Sequence, residues 1–161
     1  MPVAATLYEV VLAIHIMAVV VSFGMAFTYP LMFAVIGRAE PRTLAVLHRV
    51  EYTTERMLMN PGMVVVLAAG IYLASKEHLW SQFFVQWGLG AVVVIGAMVG
   101  AVMIPTAKRA EEAARRDVAA AGDGEVEMSG EYQGLVRRLG IVGSMLSLLV
   151  LVTILFMVIK P

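Results

Sequence analysis

The chain is 161 residues long, 60% apolar and only 15% charged, with a mean hydropathy of +0.85 and a formal net charge of zero. A soluble domain averages roughly 25% charged residues, so a water-soluble globule is excluded, and the balanced charge removes the electrostatic case for nucleic acid. Cysteine is absent, which rules out disulfides, thiolate metal sites and cysteine nucleophiles.

No basic region precedes the first apolar run, and Glu9 is the only charge there, so the first span reads as retained rather than as a cleaved signal. Val10 to Gly37 then holds 28 residues without a formal charge. A helix rises 1.5 Å per residue and hydrocarbon is about 30 Å thick, so about 20 residues cross it. The first helix is expected over 7–29, with Glu9 at its N-terminus, where a negative charge is favoured, and Pro30 at its exit.

Segment 43–56 mixes Glu51, Glu55, His48, Arg49 and Arg56 with Leu44, Leu47, Val50 and Tyr52 at roughly helical spacing. It reads as an amphipathic interfacial helix, solvated on its polar side, leading into the second span. That span is expected over 57–75, an uncharged run of 19 residues containing Asn60-Pro61-Gly62. Pro61 either starts the span or kinks a longer helix beginning near Thr43. A start at Pro61 leaves 15 residues before Lys76, too few to cross, which favours the kink.

The third span is expected over 84–104, inside the 29 uncharged residues Leu79 to Ala107, with Trp80 and Trp87 as interface anchors at its start. Segment 107–131 opens as KRAEEAARRDVAAA, strong helix formers with i,i+4 pairs Lys108–Glu112, Glu111–Arg115 and Glu112–Arg116. It reads as a solvated arm broken at Gly122-Asp123-Gly124. The fourth span, 139–159, has 21 uncharged residues.

Basic residues are distributed unevenly. Arg38, Arg42, Arg49 and Arg56 fall in the first connection, and Lys108, Arg109, Arg115, Arg116, Arg137 and Arg138 in the third. Only Lys76 and Lys160 fall on the other side, so ten of the twelve share one side. The positive-inside rule turns that side to the cytoplasm. The expected fold is all-α: a single-domain, four-helix transmembrane bundle, N-out and C-out, multi-pass in a bacterial inner membrane and bathed in lipid.

His15 lies near mid-depth of the first helix, where ionisable groups are costly and usually face the bundle interior. Tyr8, His15, Ser22 and Tyr29 recur every seven residues, nearly two turns with a drift of about 20° per step, and form one polar stripe expected to face inward. His15 can serve as polar glue between helices, as a ligand of haem iron or another metal, or as part of a proton or substrate path. His48 and His78 fall on opposite sides of the membrane and cannot both join it in a metal site. The twelve methionines read as packing. Gly88, Gly96 and Gly100 share one face of the third helix, and Gly140–Ser144 and Gly143–Ser147 pair on the fourth, all as candidate close-packing positions.

His15, a small-residue stretch ending near Gly24, the basic loops and the glycine-rich spans together resemble small bacterial predicted integral membrane proteins of unknown function. More distantly they are similar to CopD copper-resistance proteins and HemJ-type protoporphyrinogen oxidases. The HemJ resemblance implies haem as a cofactor, with His15 as its ligand. HemJ-type enzymes also use a lysine within a later helix, whereas Lys76, Lys108 and Lys160 all sit at span edges, so the oxidase activity is not implied. Copper import is not implied either, since no methionine or histidine ligands cluster. The expected function is that of a small bacterial inner-membrane protein of unassigned activity, with a haem-binding redox or electron-transfer component ligated by His15 as the first reading. The alternatives are a non-enzymatic subunit or scaffold, as a homo-oligomer or with a membrane-complex partner, and a transporter or ion or proton pathway.

Overall fold

The computed structural model describes residues 6–160, and every regular element among them is helical. Four helical rods are long and apolar enough to cross a membrane: Leu7–Ile36, Pro41–Lys76, Phe83–Ala121 and Gly130–Ile159. The chain is a multi-pass integral membrane protein whose rods present apolar surface to lipid. Their exposed residues include Val20, Leu31, Val64, Val93 and Leu148, a distribution that only a hydrocarbon solvent tolerates.

The first rod, α1 (Leu7–Ile36), starts with a capping box. Thr6 accepts from the Glu9 backbone N–H at 3.3 Å, and Glu9 Oε2 accepts from the Thr6 backbone N–H at 2.7 Å. The helix runs through Pro30 instead of ending at residue 29. Burial explains the continuation, because Tyr29 and Ile36 on either side of Pro30 are both in the core. Their packing offsets the one backbone bond that proline removes.

The second and third rods share a construction. In the second, α2 (Leu44–Thr54) passes through a π-helical turn, Glu55–Met59, into α3 (Asn60–Lys76), which carries Pro61 at its start. In the third, α4 (Phe83–Met98) passes through a π-helical turn, Val99–Met103, into α5 (Ile104–Ala121), which carries Pro105 at its start. Each wide turn ends two residues before its proline. A proline ring clashes with the carbonyl four residues earlier and has no N–H to offer it, and a wide turn relieves both problems without breaking the rod. Residues 43–75 are therefore one continuous, locally unwound helix.

The last rod is α6 (Gly130–Ile159). Ser129 caps it, and Asp117 of α5 accepts from both the backbone N–H and the hydroxyl of Ser129, at 2.9 and 2.8 Å. In the bundle α1 packs mainly on α3 and α6, α4 on α6, and α2 on α5.

The α2–α5 pairing corrects the reading of both connections as solvated. Ala107, Ala110, Ala113 and Ala114 are buried on α5, and Leu44, Ala45, His48 and Glu51 on α2. Small alanines let the two helices approach, so segment 43–56 hides its acids and histidine while Val46 and Val50 point outward. Segment 107–131 is likewise a packed helix and turn, not a free arm. Of its expected ion pairs, Glu111–Arg115 forms at 2.7 Å, while Arg116 reaches Glu131 on α6 at 3.0 Å.

Candidate functional site

The polar core lies toward the arginine-rich end. His48, Glu51 and Glu55 are each 0% exposed. His48 and Glu51 stand three residues apart on α2, and Glu55 opens the π turn one helical turn further on, so all three fall on the inward face. His48 Nδ1 lies 2.9 Å from Glu51 Oε2, and its Nε2 lies 3.1 Å from the Tyr132 hydroxyl of α6. A neutral imidazole with its proton on Nδ1 satisfies both bonds: it donates to Glu51 and accepts from Tyr132. Donation then runs in one direction, from Tyr132 through His48 to Glu51.

A second short chain sits beside it. The Tyr29 hydroxyl of α1 donates to Glu55 Oε1 at 2.6 Å, with Met59 Sδ also near that hydroxyl at 3.8 Å. Two oxygens in this region remain without a protein partner, Glu51 Oε1 and Glu55 Oε2, and so does the buried hydroxyl of Ser22. A buried ionised carboxylate costs several kcal/mol unless paired. Among the described residues the only basic side chain within ion-pair distance of either acid is His48. With the imidazole neutral, the two carboxyls reach zero charge only when each holds a proton or a monovalent cation.

The α1 stripe meets this core at one end only. Tyr29 and Ser22 are buried, while His15 and Tyr8 are half-buried. Gly62 of α3 lies against Ser22 so closely that a Cβ there would overlap the serine hydroxyl and stand 2.8 Å from its Cβ. His15 packs on Gly70, where an added Cβ would lie 3.3 Å from Cε1, and its Nδ1 donates to the Val66 carbonyl at 3.0 Å. Neither Gly62 nor Gly70 stood out in the sequence, yet both admit a polar residue of the stripe.

The other expected packing positions divide. Gly88 faces the Met157 methyl, and Gly143 meets the Phe33 and Tyr29 rings, with its hypothetical Cβ 2.9 Å from Phe33. Ser147 is buried and donates to the carbonyls of Ala26 and Gly143. Gly96 touches only Met63, at 3.8 Å, and Gly100 and Gly140 have nothing within 4 Å of a built Cβ. Ser144 is exposed and bonds back to Gly140 of its own helix at 2.8 Å. Trp87 is anchored within the bundle, donating to Thr153 at 3.2 Å and packing edge-on against Phe156.

The donor chemistry of His15 suits an axial ligand. A bond from Nδ1–H to a carbonyl fixes the ring and leaves the lone pair on Nε2, the arrangement metal-bound imidazoles use. The groove of about 370 Å³ between α1 and the second rod is lined by Met17, Ser22, Met57 and Gly62 and not by His15. Among the described residues no three His, Asp or Glu side chains are arranged to hold a metal ion.

Fold and site together define a polytopic helical membrane protein with an acid–imidazole–phenol chain buried at its basic end. Over residues 9–161 the chain matches the family described as "Predicted integral membrane protein (DUF2269)", and it belongs to that family. No curated protein and no solved structure matches it.

Proposed function

We propose that this is a proton pathway of the bacterial inner membrane, with Glu55 as its central exchanging group. The observation that carries this reading is Glu55 itself: a fully buried carboxyl with one oxygen on Tyr29 and the other without a partner. Intramembrane acids are expensive and are retained chiefly where ions or protons pass. Glu51, His48 and Tyr132 supply a relay toward the arginine-rich end, which the positive-inside rule turns to the cytoplasm and which leaves both termini outside. On the opposite side Tyr29, Ser22, His15 and Tyr8 extend the line along α1. Their seven-residue steps are each about 10 Å along the helix, so water must bridge them.

The test is proton flux into liposomes holding a pH-sensitive dye, driven by a potassium diffusion potential. Wild-type vesicles should acidify well above empty ones, and Glu55→Gln, confirmed monodisperse and helical, should return them to the empty-vesicle rate. Wild-type vesicles that match empty ones would overturn the reading.

His15 Nε2 supports a second reading, as an axial haem ligand in a redox component. The ring is half-buried, so part of it stays accessible to such a group. Protein purified from haem-supplemented cells would show a Soret band that His15→Ala removes; its absence from the wild type ends this reading.

A further inference from the structure

The third and fourth rods form a second polar feature, separate from the acid chain. A cavity of about 130 Å³ opens beside the π turn Val99–Met103, lined by Ala101, Pro105, Thr106 and Arg109 of the third rod and Arg138 of α6. Ala101, Pro105 and Arg109 follow at four-residue intervals, so they lie along one stripe of the rod. The wide turn and Pro105 open the wall at the first two, and Arg109 closes the lower end.

The charges at this cavity are unbalanced. Arg115 is paired with Glu111 and Arg116 with Glu131, but among the described residues neither Arg109 nor Arg138 has a carboxylate within 4.0 Å or a hydrogen bond to protein. Arg109 and Arg138, both solvent-exposed, line one small cavity to which no acid contributes. An anion held between them would offset their mutual repulsion. Thr106 adds a hydroxyl to the wall.

Depth identifies the anion. Ala107 is the last of the 29 uncharged residues of the third span, and Arg109 stands two residues beyond it. The cavity therefore lies at the level of the lipid headgroups, on the arginine-rich side where anionic lipid concentrates. Guanidinium forks match phosphate oxygens two at a time, and the small volume favours a compact oxyanion over a nucleotide.

We infer that Arg109, Arg138 and Thr106 form a binding site for the phosphate of an anionic phospholipid headgroup. The lipid's chains lie along the apolar flanks of the third rod and α6, and its phosphate neutralises the two arginines. The site does not depend on proton movement through Glu55.

The test is native mass spectrometry of the full chain released from micelles containing phosphatidylglycerol, phosphatidylcholine or inorganic phosphate. The wild type should retain one phosphatidylglycerol more than Arg109→Gln/Arg138→Gln, whose occupancy should fall about tenfold, as loss of charge-assisted bonds to a phosphate implies. Arg49→Gln/Arg137→Gln removes the same charge from exposed positions outside the cavity and should retain the lipid. Arg138→Lys keeps the charge but loses the fork and should fall between, which supplies a milder variant if the double one does not fold. Equal phosphatidylglycerol retention by the wild type and the cavity variants would overturn the inference. So would equal retention of phosphatidylcholine, or displacement of the lipid by millimolar inorganic phosphate, which would make the site one for a soluble anion.

Discussion

Tyr29 and Glu55, 26 residues apart in sequence, meet across the bundle through a 2.6 Å hydrogen bond between two fully buried side chains. The bond joins the first rod to the π turn of the second, and Glu55 Oε2 finds no partner of its own. A buried acceptor left unsatisfied costs about 1–3 kcal/mol. Tyr29→Phe should therefore lower stability in detergent by about that amount, read as a fall in the thermal midpoint. At a pH where the carboxyl is ionised, adding Glu55→Gln should recover part of the loss, because an amide is cheaper to bury unpaired than a carboxylate. Strictly additive losses in the double variant would show that the two residues are not coupled.

Ser22 and Gly62 set how closely α1 and α3 approach. A methyl group on Gly62 would overlap the Ser22 hydroxyl and stand 2.8 Å from its Cβ, a contact that rotating the hydroxyl cannot relieve. Gly62→Ala should cost about 1–3 kcal/mol, the usual range for overpacking. Ser22→Gly removes both atoms that a new Cβ meets most closely, Oγ and Cβ, while the serine Cα would stand at 3.7 Å. Ser22→Gly/Gly62→Ala should thus be more stable than Gly62→Ala alone. No rescue would mean that the cost of Gly62→Ala does not arise at Ser22.

The spans were legible because lipid imposes one demand on every residue of a long segment: uncharged runs such as Leu79–Ala107 and Leu139–Ile159 have no other tolerable solvent. The kink at Pro61 could be read as well, from the shortfall in length before Lys76. The buried acid chain could not be read in the same way. Glu51, Glu55 and His48 lie among Arg49 and Arg56, and a mixed-sign helix outside a span looks solvated until its covering partner is known. That partner is α5, whose signal was the run of alanines at 107, 110, 113 and 114. In sequence such alanines signal helix propensity first, although small residues on one face also permit close packing. The stripe on α1 was visible as a period of seven, but its half-buried end at Tyr8 and His15 was not, because the tilt of α1 against its neighbours is a tertiary property.

Arg42 holds the far end of the third rod. Its guanidinium donates to the carbonyls of Gly122 and Gly124, at 2.7 and 3.0 Å, where the chain turns back toward α6. Gly122 sits at φ 55°, a conformation open to glycine, and its carbonyl would otherwise face water alone. Arg42→Ala should free the turn without disturbing the spans. Cleavage after Glu125 or Glu127 by a glutamate-specific protease should then speed up several-fold, since loop cutting tracks the population of the open form. An unchanged cleavage rate would show that Ser129 and Asp117 hold the turn unaided.

The absence of cysteine makes orientation directly measurable. Any thiol introduced by substitution is the sole thiol in the chain, so labelling by a membrane-impermeant maleimide reports one position at a time. Asp123→Cys lies at the exposed turn of the arginine-rich end, and Glu77→Cys at the exposed turn between α3 and α4. Ten of the twelve basic side chains lie on the Asp123 side, and moving such loops outward is disfavoured during insertion. In intact cells Glu77→Cys should therefore be labelled and Asp123→Cys protected until the membrane is opened. The assignment matters for the acid chain as well, because it decides which compartment the Tyr132–His48–Glu51 relay faces. The reverse pattern would turn that relay outward and the Tyr8 end of the α1 stripe toward the cytoplasm.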